Sequence, residues 1–129
     1  MNTALQFGLV ALGGAVGASL RYAVNLGVVL AGRVDFPYAT LAVNAAGSLL
    51  AGLLLVLFTT AWPHHPGWRV FAMTGLLGGF TTFSAFSVET LALFQAGQLR
   101  AAALNILTNV VLCLALCGAG IALARRAVA

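Results

Sequence analysis

Residues 75–89, GLLGGFTTFSAFSVE, carry most of the chemistry that this sequence offers. The segment combines three glycines, four hydroxyl residues and three phenylalanines within an apolar stretch. Adjacent glycines weaken a helix, and Ser and Thr hydroxyls can bond the backbone groups that a break releases. Freed carbonyl groups coordinate cations, and freed N–H groups attract anions. The composition therefore suggests a helix that is broken at mid-membrane, where the freed backbone groups would contact an ion.

Two phenylalanines extend this chemistry to anions. Phe83 and Phe86 are three residues apart, so both rings project from similar faces of a helix. The edge of a phenyl ring is electropositive, so an anion that passes it meets weak attraction without strong hydration. The alternative is a continuous helix in which the hydroxyls bond carbonyl groups one turn back and the rings pack in the core.

Amide side chains form a second group of candidates. Asn44 lies at the centre of one apolar stretch. In another, Asn105, Asn109 and Cys113 recur every four residues, which places them on one face of a helix. A row of polar groups in a membrane either joins neighbouring helices or lines a hydrated track. The spacing leaves both interpretations open.

Two ionisable residues, Arg21 and Glu89, fall inside apolar stretches. A charged side chain within the bilayer is costly and is by default a functional hypothesis. Both residues lie late in stretches that would cross the membrane in the same direction, so they are expected at similar depth. An ion pair, or a position at one interface, is the structural alternative.

The overall composition identifies the elements that must position these residues. The chain has 129 residues, of which 62% are hydrophobic and 6% charged. Soluble domains carry about 25% charged residues, so a water-soluble globule is excluded, and so is disorder. The net charge of +4 comes from arginines scattered along the chain, and we expect no nucleic-acid partner. An all-α membrane protein remains.

Charges and turn residues divide the chain into four apolar stretches within one transmembrane domain, 1–129. Each stretch exceeds the roughly 20 residues that a helical span needs. The predicted spans are residues 3–30, 38–60, 68–94 and 99–124. Their short connections make neighbouring spans antiparallel, and the arginines favour one side only weakly. Insertion in both orientations is therefore expected, and it would permit an antiparallel dimer. The alternative is that Arg69, Arg125 and Arg126 fix a single orientation.

Small residues predict a tightly packed bundle. Gly13 and Gly17 form one GxxxG step, and Gly75 and Gly79 form another. Such steps let helix backbones approach closely where lipid provides no hydrophobic driving force. Four short helices leave few residues to line a pathway within a single subunit, so a transport function would use an interface between subunits.

Three motifs, in order along the chain, resemble the Fluc (CrcB) fluoride channel family. They are GGAVGASLRY at 13–22, LAVNAAGSLLAG at 41–52 and GLLGGFTTFSAFSVE at 75–89, and the last is the most specific. The resemblance covers nearly the whole chain. It implies a dual-topology homodimer of four-helix subunits in the inner (plasma) membrane. Fluoride would leave the cytoplasm passively, through two pathways at the antiparallel interface.

The resemblance also implies roles for individual residues. Asn44 would donate an N–H to fluoride, and the phenyl rings of both subunits would line each pathway. The carbonyl groups of Gly78 and Thr81 would hold a structural Na⁺ on the dimer axis. Arg21 and Glu89 match motif positions without a definite role. The implied fluoride pathway comprises Asn44, Phe83, Phe86, Asn105, Asn109 and Cys113.

Some residues depart from the family pattern. Leu49 stands where phenylalanine is common, and Ala85 stands where a hydroxyl is common. Cys113 occupies a track position that often carries Tyr, Ser or Thr, although a thiol is a weak hydrogen-bond donor. These departures bear on the details of the polar track and leave the family resemblance intact.

Three other function classes compete with an ion channel. A proton-coupled small multidrug transporter has four short spans, but the expected membrane-embedded acid of span one is absent, which leaves Glu89. A structural subunit would use the polar groups only as contacts between helices. An enzyme is not expected, because His64 and His65 lie in a proline-rich connection and no nucleophile–base pair can be formed.

Overall fold

The computed structural model describes residues 2–128, which are helical apart from short connections. Four helical segments are long and apolar enough to cross a membrane. The prediction of an all-α protein with four spanning segments is thereby confirmed. The third segment, Pro66–Gln95, contains two helices, α3 (66–80) and α4 (Phe83–Gln95). The other three are α1 (Thr3–Leu30), α2 (Tyr38–Ala61) and α5 (Leu99–Val128).

The ends of the helices follow from local residue chemistry. The Asn2 side chain accepts a hydrogen bond from the Ala4 N–H at 3.0 Å and caps α1. Gly32 after α1 and Gly97 after α4 have positive φ angles of 71° and 73°, which only glycine adopts without strain. Pro66 begins α3, where its missing N–H costs no helical hydrogen bond. These connections are short and place neighbouring spans side by side.

Glycines bring the helix backbones into direct contact. Helix α1 packs on α3, and α2 packs on α5. A Cβ atom on Gly13 would lie 2.5 Å from the Phe71 carbonyl oxygen, and one on Gly17 would overlap the Leu76 carbonyl oxygen. Gly52 of α2 meets the backbone of α5 in the same way. This close approach sets the rotation and depth of each helix against its neighbour.

We expect the Gly17→Ala variant to be less stable than wild type by about 1–3 kcal/mol, the usual cost of overpacking. The added methyl group would meet the backbone of α3, which cannot rotate away. The matched control is Gly8→Ala on the same helix, where no atom of another described helix lies within 4 Å of the new methyl group. Thermal unfolding in detergent measures both variants. An unchanged melting temperature for Gly17→Ala would contradict the close packing of α1 on α3.

The third spanning segment changes conformation at two threonines. Helix α3 ends at Phe80, and Thr81 has φ −82° and ψ 159°. Thr82 is also extended, with φ −154° and ψ 119°, before α4 begins at Phe83. The adjacent glycines Gly78 and Gly79 remain helical, so the extended residues follow them. Backbone groups around Thr81 and Thr82 therefore need partners outside the helix.

Candidate functional site

A groove of about 420 Å³ opens beside the two extended threonines, between α2, α3, α4 and α5. Its wall combines side-chain amides, phenyl rings, a thiol and backbone at Gly78. The predicted site residues that line it are Asn44, Gly78, Thr81, Phe83, Phe86, Asn109 and Cys113. The structure thus brings together most of the residues that the sequence singled out.

Asn44 forms a paired hydrogen bond with the backbone of Thr82. Its Oδ1 accepts from the Thr82 N–H at 2.8 Å, and its Nδ2 donates to the Thr82 carbonyl oxygen at 3.0 Å. The side-chain amide thereby replaces the helical partners that an extended residue loses. Asn44 of α2 holds the interruption between α3 and α4 in place.

Two carbonyl groups lose their regular helical donors at this point. The Thr82 N–H, which would bond the Gly78 carbonyl four residues earlier, bonds Asn44 instead. The Ala85 N–H, which would bond the Thr81 carbonyl, bonds the Thr82 Oγ1 at 3.1 Å. Gly78 is also exposed, and no atom of another described helix lies within 4 Å of where a Cβ would lie. Carbonyl oxygens released in this way are suitable ligands for a hard cation.

The amide side chains of α5, Asn105 and Asn109, form an amide row that joins three helices. Asn109 Oδ1 accepts from Asn44 Nδ2 at 2.9 Å. Asn109 Nδ2 donates to the Asn105 carbonyl at 3.1 Å and to Asn105 Oδ1 at 2.9 Å. Asn105 is 0% exposed, and its Nδ2 donates to the Thr90 Oγ1 of α4 at 2.9 Å. Asn105 and Asn109 therefore bond to neighbouring helices. Asn109 and half-buried Cys113 also line the groove, whereas Asn105 lies behind its wall.

The two phenyl rings are close together but differ in exposure. Their centroids are 5.2 Å apart and their planes are tilted by 53°. Phe86 is 8% exposed, whereas Phe83 is 77% exposed. The Thr90 hydroxyl donates to the Phe86 carbonyl at 2.6 Å, which connects the ring's helical turn to the amide row. Phe86 forms part of the groove wall, and Phe83 stands at its open side.

Arg21 and Glu89 line one cavity of about 270 Å³ next to Thr82. Glu89 Oε1 accepts from the Thr40 hydroxyl at 2.8 Å. Its Oε2 is buried and has no hydrogen-bond partner among residues 2–128. A neighbouring cavity of about 360 Å³ also includes Glu89 and reaches Arg33 at the first connection. Adjoining cavities thus lead from a helix end toward the extended threonines.

Three threonines take part in these contacts without having been singled out individually as site residues from the sequence. Thr82 is the backbone partner of Asn44, Thr90 supports Asn105, and Thr40 bonds Glu89. All three are buried. A buried hydroxyl in an apolar span is the signal that would have indicated them, since such a group needs a partner.

Comparison with known proteins places the chain in a family. The family model described as CrcB-like protein, Camphor Resistance (CrcB), matches residues 8–121, which is most of the chain. The chain belongs to the CrcB family. The resemblance drawn from the three motifs is thereby confirmed. With its four spanning segments, this CrcB-family chain is a multi-pass membrane protein.

Several similar proteins carry one name, fluoride-specific ion channel FluC. The relative from Idiomarina loihiensis is 49% identical over 114 residues, which cover 88% of each chain. The one from Agrobacterium fabrum is 43% identical over 122 residues, which cover 95% of the CrcB-family chain and 98% of the relative. The Methylococcus capsulatus relative is 49% identical over 118 residues, 91% of this chain but 51% of its own length. This chain therefore spans about half of that relative.

These names describe ion channels, which confirms the expectation that the CrcB-family chain is not an enzyme. A channel passes an ion without making or breaking covalent bonds.

Proposed function

We propose that this chain is a fluoride-selective channel through which fluoride leaves the cytoplasm passively across the inner membrane. The observation that carries the proposal is the groove beside Thr82, where amide groups and phenyl rings meet at the end of a helix. The shared name of relatives at 43–49% identity supports fluoride as the ion.

The chemistry of the groove suits a small, strongly hydrated anion. Fluoride gives up water only where donors replace it, and amide N–H groups such as those of Asn44 can do so. Helix α4 begins at Phe83, so its first N–H groups have no partners within the helix and its positive dipole end faces the groove. Phenyl edges add weak attraction without strong binding, which allows the ion to leave.

A second copy of the chain would complete the pathway. The groove is open on the side where Phe83 is exposed, and a lipid-facing opening would not shield a passing anion. An antiparallel homodimer would cover this opening and create two equivalent pathways at the interface. The weak asymmetry of the arginines between the two membrane sides supports insertion in both orientations.

The residues at the interruption also suit a structural Na⁺ at the dimer centre. The Gly78 and Thr81 carbonyl groups, released from their regular donors, are the oxygen ligands that each copy would supply. Bound Na⁺ would provide positive charge that offsets the repulsion between neighbouring anions. Asn44 and Thr82 hold these carbonyls free by diverting the two N–H groups.

Efflux from liposomes tests the proposal. Purified protein should release fluoride from loaded vesicles when a potassium ionophore provides charge balance, and it should retain chloride under the same conditions. Protein-free vesicles give the background rate. Chloride release at a rate comparable with fluoride release would contradict selectivity, and fluoride retention would contradict the channel assignment.

One observation favours a second candidate, a small proton-coupled transporter of cations that uses Glu89. The buried Oε2 of this side chain, which has no hydrogen-bond partner among residues 2–128, can accept a proton. The same vesicles separate the two functions. A pH gradient that drives uptake of a quaternary ammonium ion would favour the transporter, whereas fluoride flux independent of a proton gradient favours the channel.

A further inference from the structure

Both amide hydrogens of Asn44 are engaged within the chain. One is donated to the Thr82 carbonyl at 3.0 Å and braces the interrupted backbone. The other is donated to Asn109 Oδ1 at 2.9 Å. Because the first hydrogen belongs to the backbone pairing, the second is the one that an anion in the groove can take. Its acceptor is a neutral side-chain oxygen on a residue that lines the same groove.

The backbone fixes the orientation of both amides. The Thr82 N–H can only donate, so Asn44 turns its oxygen toward Thr82. The Asn105 carbonyl can only accept, so Asn109 turns its NH₂ toward Asn105 and its oxygen toward Asn44. If the nitrogen and oxygen of Asn109 were exchanged, two NH₂ groups would face each other at Asn44 and two oxygens would face each other at Asn105. The acceptor that Asn109 presents to Asn44 is therefore a fixed feature of this chain.

We propose that Asn109 Oδ1 accepts the same hydrogen bond from Asn44 Nδ2 that fluoride must accept. Asn109 thus competes with the ion and sets the fluoride affinity of the pathway. The inference rests on the proposed function. A charged acceptor forms stronger hydrogen bonds than a neutral amide oxygen, so fluoride displaces Asn109 on arrival. When the ion moves on, the Asn109 oxygen takes its place and satisfies Asn44 again. Asn109 thereby weakens fluoride binding and favours release.

The Asn109→Ser variant tests this competition. A serine hydroxyl bonds the carbonyl one turn back, here that of Asn105, but is too short to reach Asn44. The measurement is the fluoride concentration that gives half-maximal flux through the reconstituted protein. We expect it to fall about fivefold, the equivalent of losing one competing hydrogen bond of ~1 kcal/mol. An unchanged or higher concentration in the folded variant would overturn the proposal.

A control and a second measurement complete the test. Thr59→Ala on α2 removes a hydroxyl that bonds the Leu55 carbonyl at 2.8 Å outside the groove lining, so it should leave the half-maximal concentration unchanged. If Asn109→Ser does not fold, a fluoride titration of the wild-type protein observed by NMR decides whether Asn109 competes with fluoride for Asn44. The side-chain amide signals of Asn44 and Asn109 should shift together, and a shift of neither, or of Asn44 alone, would overturn the competition.

The outcomes separate this inference from the function on which it rests. Wild-type protein that releases no fluoride contradicts the proposed channel. Wild-type protein that conducts, combined with an Asn109→Ser variant whose half-maximal concentration does not fall, contradicts only the competition by Asn109.

Discussion

We expect the Asn44→Asp variant to release fluoride from liposomes about a thousandfold more slowly than wild type. A carboxylate about 4 Å from a passing anion costs ~4 kcal/mol at an effective dielectric constant near 20, and each ~1.4 kcal/mol is a factor of ten. The protonated acid would also fail, because it lacks the NH₂ group that bonds both Thr82 and Asn109. The substitution therefore removes a donor whichever form the acid takes.

The control for this variant is Asn2→Asp, which makes the same substitution at the cap of α1. Aspartate caps a helix as well as asparagine does, so stability and flux should equal those of wild type. Size-exclusion chromatography should show that both variants remain folded. Fluoride flux at the wild-type rate in Asn44→Asp would remove Asn44 from the pathway.

We expect the Phe86→Ile variant to lower the fluoride flux about tenfold. Isoleucine fills most of the space of the ring but has no electropositive edge, and aromatic-edge contacts contribute ~1 kcal/mol or somewhat more. Phe86 is the ring that is 8% exposed and forms the groove wall, so in the proposed pathway the edge of this ring would contact the ion. The liposome assay measures the loss directly.

Phe94→Ile is the matched control, because the same substitution is made two turns further along α4. Phe94 is 59% exposed, and its loss should leave the flux unchanged. Equal losses in the two variants would show that isoleucine disturbs α4 as a whole. A wild-type rate for Phe86→Ile would mean that the ring only packs.

The number of spans was predictable because it depends on local quantities. Hydropathy and the positions of the charges divide the chain without reference to any contact between helices, and the structure confirms four spanning segments. The three motifs likewise predicted the family, since a motif is a property of the sequence itself. The sequence did not predict the precise position of the extended residues. The adjacent glycines remain helical, and the extended torsions occur at Thr81 and Thr82, where Asn44 compensates the backbone.

The difference between the two phenylalanines also lay beyond the sequence. A spacing of three residues indicates that Phe83 and Phe86 share a face, and their rings are indeed 5.2 Å apart. It does not indicate which ring turns toward the neighbouring helices, because that depends on the rotation of α4. In the structure Phe86 is buried and Phe83 is exposed.

By itself the sequence determined the class of this protein and the helices that carry its polar residues. Composition and spacing require only the chain's own order, so they show that Asn44, Asn105 and Asn109 lie in apolar spans. The tertiary structure alone decided how these residues are paired. Asn44 bonds Thr82 and Asn109 because glycine contacts between backbones set the depth and rotation of each helix. Hydrogen bonds form within about 3 Å, and a distance that short depends on packing between helices that no single stretch of sequence encodes.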